Sequence, residues 1–377
     1  MIIGIPQEIK IHEYRVSLTP EGAALLTNCG HHVLVQSNAG SAVGFSDQDY
    51  QASGAKIVPT AQHIFDQAQM IMKVKEPQPS ECALLKKDQL LFTYLHLAAD
   101  PIQAELLMKS GATCIAYETI TDNDGRLPLL KPMSEVAGRM SIQSGAHHLE
   151  KTQGGSGVLL SGASGVEPAK VLVIGGGMVG MNAAKVALGM GAQVTILDRS
   201  ISKRLNDFQQ KYSTQLSIDL SNKTNIERQL KTADLVIGAA LVAGAKAPKL
   251  ITKAMLKIMK KGSVLVDVSI DQGGCFETSK ATTHQSPTYV VDDIVHYCVA
   301  NMPGGVARTA TMALTNATLP FALRLADQGL AALQENSHLR QGLNVHAGHI
   351  THEAVAKALQ LDYVPAENAL NPLMLSA

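Results

Sequence analysis

The chain has 377 residues, of which 46% are hydrophobic and 17% charged, with 32 basic residues balancing 32 acidic ones. That composition excludes a disordered or collagen-like chain, and zero net charge removes any general pull toward nucleic acid or an anionic membrane, leaving small molecules as partners. The length exceeds the roughly 100 to 200 residues of one ordinary domain and predicts two. Cys29, Cys82, Cys114, Cys275 and Cys298 are odd in number, widely spaced and without a C-x-x-C pair, so they read as reduced packing residues. The opening Met1 to Pro6 lacks the basic start and long apolar core of a secretory signal. The most apolar stretch, Val171 to Leu197, is interrupted by Asn182, Lys185, Gln193 and several glycines, so a cytoplasmic chain with no membrane span is expected.

In chain order, β-rich runs at Val33 to Val35, Met70 to Val74, Leu90 to Leu95 and Cys114 to Tyr117 alternate with helix-compatible segments such as Glu21 to Cys29 and Ile102 to Lys109. This alternation predicts an α/β layer fold with a largely parallel sheet. The turn formers from Thr121 to Pro128, then Pro132, mark a domain boundary. A helix is predicted over Ser134 to Lys151 with Ser134 as its cap, followed by a Gly/Ser-rich connector from Gly154 to Gly165. The alternation then resumes: strand Val171 to Ile174, helix Met178 to Met190, and strands at Gln193 to Leu197, Leu235 to Ile237 and Val264 to Val268. Beyond Asn301-Met302-Pro303 the pattern turns helical, with helices predicted over Arg308 to Leu333 and Thr351 to Leu359.

Strand Val171 to Ile174 runs into Gly175-Gly176-Gly177-Met178-Val179-Gly180, where a helix opens. Gly175, Gly177 and Gly180 occupy the three places of a dinucleotide fingerprint, and the next strand ends at Asp198, near the roughly 20-residue offset of a ribose-binding acid. The first glycine permits a tight turn, the second lets backbone N–H groups approach a pyrophosphate, and the third lets helix and strand pack closely. A carboxylate at Asp198 favours NAD by repelling the 2′-phosphate of NADP, although neighbouring Arg199 keeps NADP open.

Outside the fingerprint, Lys75 and His96 follow two apolar strands of the first half, Arg15 sits in a polar loop after the first strand, and Asp271 follows strand Val264 to Val268. In open α/β sheets ligands collect beyond the carboxyl ends of strands, so the two sets are expected to face each other across an interdomain cleft. Arg15 could clamp a carboxylate bidentately. Singly, each residue is ordinarily structural, and only their joint placement points to function. His346, His349 and His352 share an i, i+3 spacing, but Gly348 interrupts any helix there and no Cys or acid completes a metal set, so no metal is expected.

The opening Met1 to Lys10 with Glu13 to Pro20 resembles that of the alanine dehydrogenase and transhydrogenase N-terminal and NAD-binding domain family. The similarity continues at Lys73 to Pro77, Tyr94 to His96, Met133 to Arg139, Asp267 to Phe276 and Val299 to Gly304. The resemblance implies two Rossmann-like doubly wound domains flanking the cleft, with C-terminal helices returning to the N-terminal domain. The substrate domain would be residues 1–128 plus 307–377, and the NAD-binding domain 129–306. It implies that His96 and Asp271 are catalytic, that Arg15 and Lys75 hold a substrate carboxylate, and that NAD touches Ser134, Gly175, Gly177, Met178, Val179, Gly180 and Asp198. Further contacts would come from Lys203, Ser221, Ala240, Leu241, Val268, Ser269, Ile270, Lys280, Val299, Asn301 and Met302. The chain departs from the family at Arg199, where Ile or Val is usual after the Asp; at Lys280, often Arg; and at Gly304-Gly305.

The implied activity is reversible, NAD-dependent oxidative deamination of L-alanine to pyruvate and ammonia, with hydride leaving Cα for nicotinamide, by a homohexamer. His96, with an unperturbed pKa of about 6.5, suits proton exchange with the substrate, and Asp271 suits activation of water. Three other readings stand beside it: the NAD-binding component of a proton-translocating transhydrogenase, an opine-type dehydrogenase, and a non-catalytic NAD-binding regulator.

Overall fold

Runs of aliphatic and β-branched residues too short for helices form the strands. The computed structural model describes every residue except 213, 241–246 and 372–377. In it the strands are β1 (Ile2–Ile5), β2 (His32–Gln36), β3 (Lys56–Val58), β4 (Met70–Met72), β5 (Leu90–Thr93), β6 (Thr113–Ala116), β7 (Lys170–Ile174), β8 (Gln193–Asp198), β9 (Leu216–Leu220), β10 (Leu235–Gly238), β11 (Val264–Asp267), β12 (Thr288–Val291), β13 (Ile294–Tyr297), β14 (Leu343–His346) and β15 (His349–Ile350). The chain divides into two compact units, Met1–Met133 with Ala307–Ala377, and Ser134–Val306.

The first unit holds an eight-stranded sheet in the order β15-β14-β6-β5-β4-β1-β2-β3. Six neighbouring strands, β3-β2-β1-β4-β5-β6, are parallel, while β14 and β15 add an antiparallel edge. The second unit holds a seven-stranded sheet, β12-β13-β11-β10-β7-β8-β9, antiparallel only at β12. Each sheet therefore contains the doubly wound order 3-2-1-4-5-6, with the reversal of direction between β1 and β4 in one and between β7 and β10 in the other. Helices cover both faces, so strand residues are apolar on both sides: Val171 and Val173 enter one core, Leu172 and Ile174 the other.

Several elements differ from the sequence expectation. Ser134 is no cap: the helix begins at Lys131–Pro132, where proline's fixed φ suits a first turn, and Ser134 lies inside Lys131–His148. The long C-terminal helix is Ala307–Gln328, stopped at Gly329 (φ +57°) before a short helix Ala331–Glu335, and it belongs to the first unit. The last predicted helix starts at Glu353, because residues 343–350 form the unforeseen hairpin β14–β15. Ala347 (φ 48°) and Gly348 (φ 85°) make its two-residue turn, so His346 and His349 pair across strands instead of sharing a helical face. Also unforeseen were β9, β12, β13 and the helices Lys203–Lys211 and Lys223–Leu230.

Candidate active site

Beyond β1, the polar loop of the first unit folds back over the sheet because Ser17 Oγ donates to Met72 O at the end of β4 (2.8 Å) and the Val16 amide donates to Thr311 Oγ1 (3.2 Å). This buries Arg15, which is 3% exposed. Its Nε and Nη2 donate to the two carboxylate oxygens of Glu13, each at 2.6 Å, and Nη1 points at Met133 Sδ (3.0 Å). Burial alone would lower the guanidinium pKa, but the hydrogen bonds and charge of Glu13 outweigh it and hold the charge in place.

Lys75 is set by a buried ionic triad. The fully buried Lys73 Nζ donates to Glu8 Oε2 (2.9 Å) and Glu81 Oε1 (2.8 Å), while Glu8 Oε1 accepts from the amides of Val74 (2.6 Å) and Lys75 (3.3 Å). Glu8 thereby takes the backbone away from strand pairing, and β4 stops at Met72, short of the predicted Val74. Burial pushes the Glu8 carboxyl up despite the lowering charge of Lys73.

Glu118 does the same for β5. It accepts from the amides of Leu95 (3.2 Å) and His96 (2.6 Å), and His96 takes a left-handed backbone, φ 52°. The His96 ring, half exposed, stacks on Tyr94 with centroids 5.8 Å apart, and its Nδ1 lies 3.9 Å from Glu118 Oε1. Tyr94 is anchored by its hydroxyl, which donates to Leu129 O (2.6 Å), and burial pushes that hydroxyl's pKa up. Arg15, Lys75 and His96 thus all leave the carboxyl ends of β1, β4 and β5.

In the second unit the glycine turn leaves β7. A Cβ on Gly180 would stand 1.8 Å from Gly175 O, and one on Gly175 would stand 2.5 Å from Ala239 O, whereas Gly177 faces open space. Gly175 has φ +110°, which L side chains rarely adopt. Met178 and Val179 open the helix Met178–Gly189, whose N-terminus has no side-chain cap. Asp198 ends β8, with Oδ2 accepting from the Gly176 amide and Oδ1 from that of Ser200 (3.3 Å). Lys203 is exposed at the start of its helix, and the Ser221 amide donates to Asp198 O (2.7 Å).

Ala240 follows β10, and its carbonyl accepts from Ser269 Oγ (2.7 Å). Leu241 lies outside the described residues. After β11, the Val268 amide donates to Gly238 O (2.9 Å), and Ile270–Gln272 forms a short 3-10 turn carrying exposed Asp271. Asp267 holds this loop from beneath, accepting from the amides of Ser269 (3.1 Å) and Cys275 (2.9 Å), and Lys249 Nζ binds the carbonyls of Gly273 and Gly274. Burial pushes the Asp267 carboxyl up, against the lowering hydrogen bonds of Ser279, Cys275 and Phe276.

The amide of exposed Lys280 donates to the Tyr289 hydroxyl (2.7 Å). After β13, the side chains of Val299 and Met302 are buried in the core, and Asn301, φ 59°, accepts at its carbonyl from His284 Nε2 (3.1 Å). Sequence reasoning missed the residues that hold these loops: Glu13, Glu8, Lys73, Glu81, Glu118, Asp267 and Lys249. The available signal was charged residues at or just beyond the ends of apolar strands, clearest at Lys73 and Asp267. It also missed Arg204, whose Nη2 donates to Gly176 O (3.3 Å).

The strand order and the interlocked glycine turn define a doubly wound α/β protein of the Rossmann class. Residues 4–137 match the family described as alanine dehydrogenase/PNT, N-terminal domain, and residues 141–353 its C-terminal domain. The chain belongs to the alanine dehydrogenase/PNT family. It is 58% identical over 371 residues to the alanine dehydrogenase of Halomonas elongata, covering 98% of this chain and 100% of that protein. A solved L-alanine dehydrogenase superposes with a TM-score of 0.93 at 49% identity, covering 96% of this chain and 99% of the other. A transhydrogenase from Sinorhizobium meliloti shares the fold, with a TM-score of 0.80 at 23% identity over 94% of this chain and 100% of the other. No helix among the described residues is long and apolar enough to cross a membrane.

Proposed function

We propose that this chain is an L-alanine dehydrogenase, interconverting L-alanine with pyruvate and ammonia and using NAD. The observation that carries the reading is the gathering of Arg15, Lys75 and His96 in the loops after β1, β4 and β5, beside the point where strand order reverses. In this reading Met1–Met133 with Ala307–Ala377 binds the substrate, and Ser134–Val306 binds the dinucleotide. The second unit suits NAD because Gly177 opens onto free space at an uncapped helix N-terminus, a fit for pyrophosphate, and Asp198 stands at the end of β8 for the ribose hydroxyls. Ser134, Lys203, Ser221, Ala240, Leu241, Val268 to Ile270, Lys280, Val299, Asn301 and Met302 would complete its contacts.

When bound, NAD supplies the hydride acceptor. Arg15 would meet the substrate carboxylate through its Nη1 edge, where Met133 sulfur is a weak acceptor that a carboxylate oxygen outcompetes, while Glu13 keeps the guanidinium plane in place. Lys75 would take the other carboxylate oxygen and polarise the forming carbonyl. His96 would exchange protons with the substrate nitrogen or oxygen, and Asp271 would orient the water that attacks Cα. Fixing the carboxylate removes much of the orientational freedom at Cα, an effect that can reach roughly 7 to 11 kcal/mol.

A homohexamer in the cytoplasm belongs to the same reading, and light scattering after size exclusion tests the assembly. The activity is tested by NADH formation with L-alanine, run against lysine, glutamate and NADP as controls. Equal turnover of all three amino acids, or none with alanine, sinks the assignment.

A further inference from the structure

His352 lies far along the chain from the proposed catalytic histidine, yet the fold returns it to the same loop cluster. The Thr351 amide donates to Asn344 O (2.9 Å), and Asn344 Nδ2 donates in turn to Thr119 Oγ1 (2.9 Å), next to Glu118. Thr351 Oγ1 also donates to Leu343 O (2.9 Å), which locks the residue before His352 onto β14. The helix that follows, Glu353–Leu359, packs on the 3-10 turn Leu97–Ala99, whose first flanking residue is His96.

Three features of His352 then stand out. It occupies the N-cap position of its helix, but its side chain makes no cap hydrogen bond. Its Nδ1 is buried with no hydrogen-bond partner among the described residues. The acidic groups whose charge it feels are Glu118 and, on its own helix, Glu353. A buried, unpartnered ring nitrogen is uncommon in native interiors and calls for a reason.

We propose that His352 is a positioning residue for His96, acting through Glu118. This rests on the reading of His96 as the proton-handling group. Glu118 grips the amides of Leu95 and His96 and holds His96 in its left-handed conformation, with Nδ1 3.9 Å from Oε1. The helix that His352 opens packs on the turn after His96, and the charge of Glu118 reaches the His352 ring. A polar ring edge there, where water screens it little, steadies the carboxylate in its charge-assisted bonds to those amides, whereas an apolar ring of the same bulk does not. The C-terminal segment of the unit thereby contributes to the geometry of a loop near its start.

The test compares H352F, which keeps the bulk of the ring, with H352N, which keeps a polar atom at the Nδ1 position. With L-alanine and NAD, H352F is expected to lose roughly tenfold in kcat with little change in the KM for NAD, the scale seen when a polar group behind a functional side chain is removed. H352N should recover to within about twofold. Independently of turnover, the His96 ring resonance, assigned with H96N, should be displaced at constant pH in H352F and restored in H352N. Parent-like spectra and kcat in H352F overturn the proposal. If H96N itself retains full kcat while the resonance still moves in H352F, the coupling stands and the reading of His96 as proton handler is what fails.

Discussion

The two units reach one strand order, but the glycine turn after β7 rests on close backbone contacts, whereas the loops after β1, β4 and β5 rest on charged groups. In the first, buried and partly buried carboxylates grip backbone amides and cations: Glu13 on Arg15, Glu8 and Glu81 on Lys73, and Glu118 on the amides of Leu95 and His96. In the second, Asp267 grips the loop after β11 in the same way and Asp198 takes the Gly176 amide, but the turn after β7 also depends on contact between backbones, with Gly180 against Gly175 and Gly175 against Ala239. The difference teaches where each is vulnerable. A charge network fails when one partner is removed, because the others remain buried and unpaired. A backbone contact fails when a single carbon is added.

The largest expected effect follows from the charge network. Lys73→Met strands Glu8 and Glu81 in the interior and should cost about 3 to 5 kcal/mol, read as a fall in the urea midpoint. Changing both acids to Gln as well should regain part of it, and a K73M chain of parent stability would erase the contrast between the units. Next, Gly180→Ala must displace Gly175 and should cost roughly 1 to 3 kcal/mol. A loss of the same size in dinucleotide binding would read in an NADH fluorescence titration as about five- to 150-fold weaker affinity.

Acidification sharpens the comparison inside the second unit, where His296 is fully buried, its Nε2 paired with Thr278 Oγ1 (2.7 Å) and its Nδ1 with Ile294 O (2.9 Å). Burial holds its pKa below the ordinary 6.5, the Ile294 carbonyl opposing this. The unfolded chain therefore binds the proton first. Stability from this residue is full above the unfolded value and drains away as pH falls from there through the folded value, with a slope of up to about 1.4 kcal/mol per pH unit. His296→Gln should flatten that slope in denaturation curves, and an unchanged slope would remove His296 from the account. The smallest effect is at Asp198: the D198G variant loses the proposed ribose-binding acid but keeps exposed Arg199 and Lys203, so selectivity for NAD over NADP should shrink by about five- to tenfold, roughly one hydrogen bond's worth. The ratio of kcat/KM values for the two dinucleotides reads it directly.

Much of this was visible along the chain. The glycine spacing and the acid at Asp198 are local requirements, and a strand running into a helix through a tight turn can be satisfied by few sequences. Strand cores such as Val171 to Ile174 were equally legible, since both faces of a parallel sheet are buried and the run is apolar throughout. Strand ends were less so. Neither β4 nor β5 reaches its predicted terminus, because carboxylates from distant positions, Glu8 and Glu118, take the amides that would have continued the ladder. The hairpin of β14 and β15 was hidden for a related reason: its turn, Ala347-Gly348, resembles an interrupted helix until a neighbouring strand, β6, is there to pair with it.

What the amino-acid order determined by itself was the class of fold, the glycine turn after β7 and the placing of charged side chains after strand ends, all set by period, spacing and local backbone freedom. What only the tertiary structure decided was which acid holds which loop, and that residues 343–352 return to the first sheet beside Glu118. Those partners lie tens to hundreds of positions apart, as with Glu8 and Lys73 or Thr119 and Asn344. Pairing a buried charge or amide is a demand of the folded interior, where water is no longer present to satisfy it, so no local pattern announces the partner.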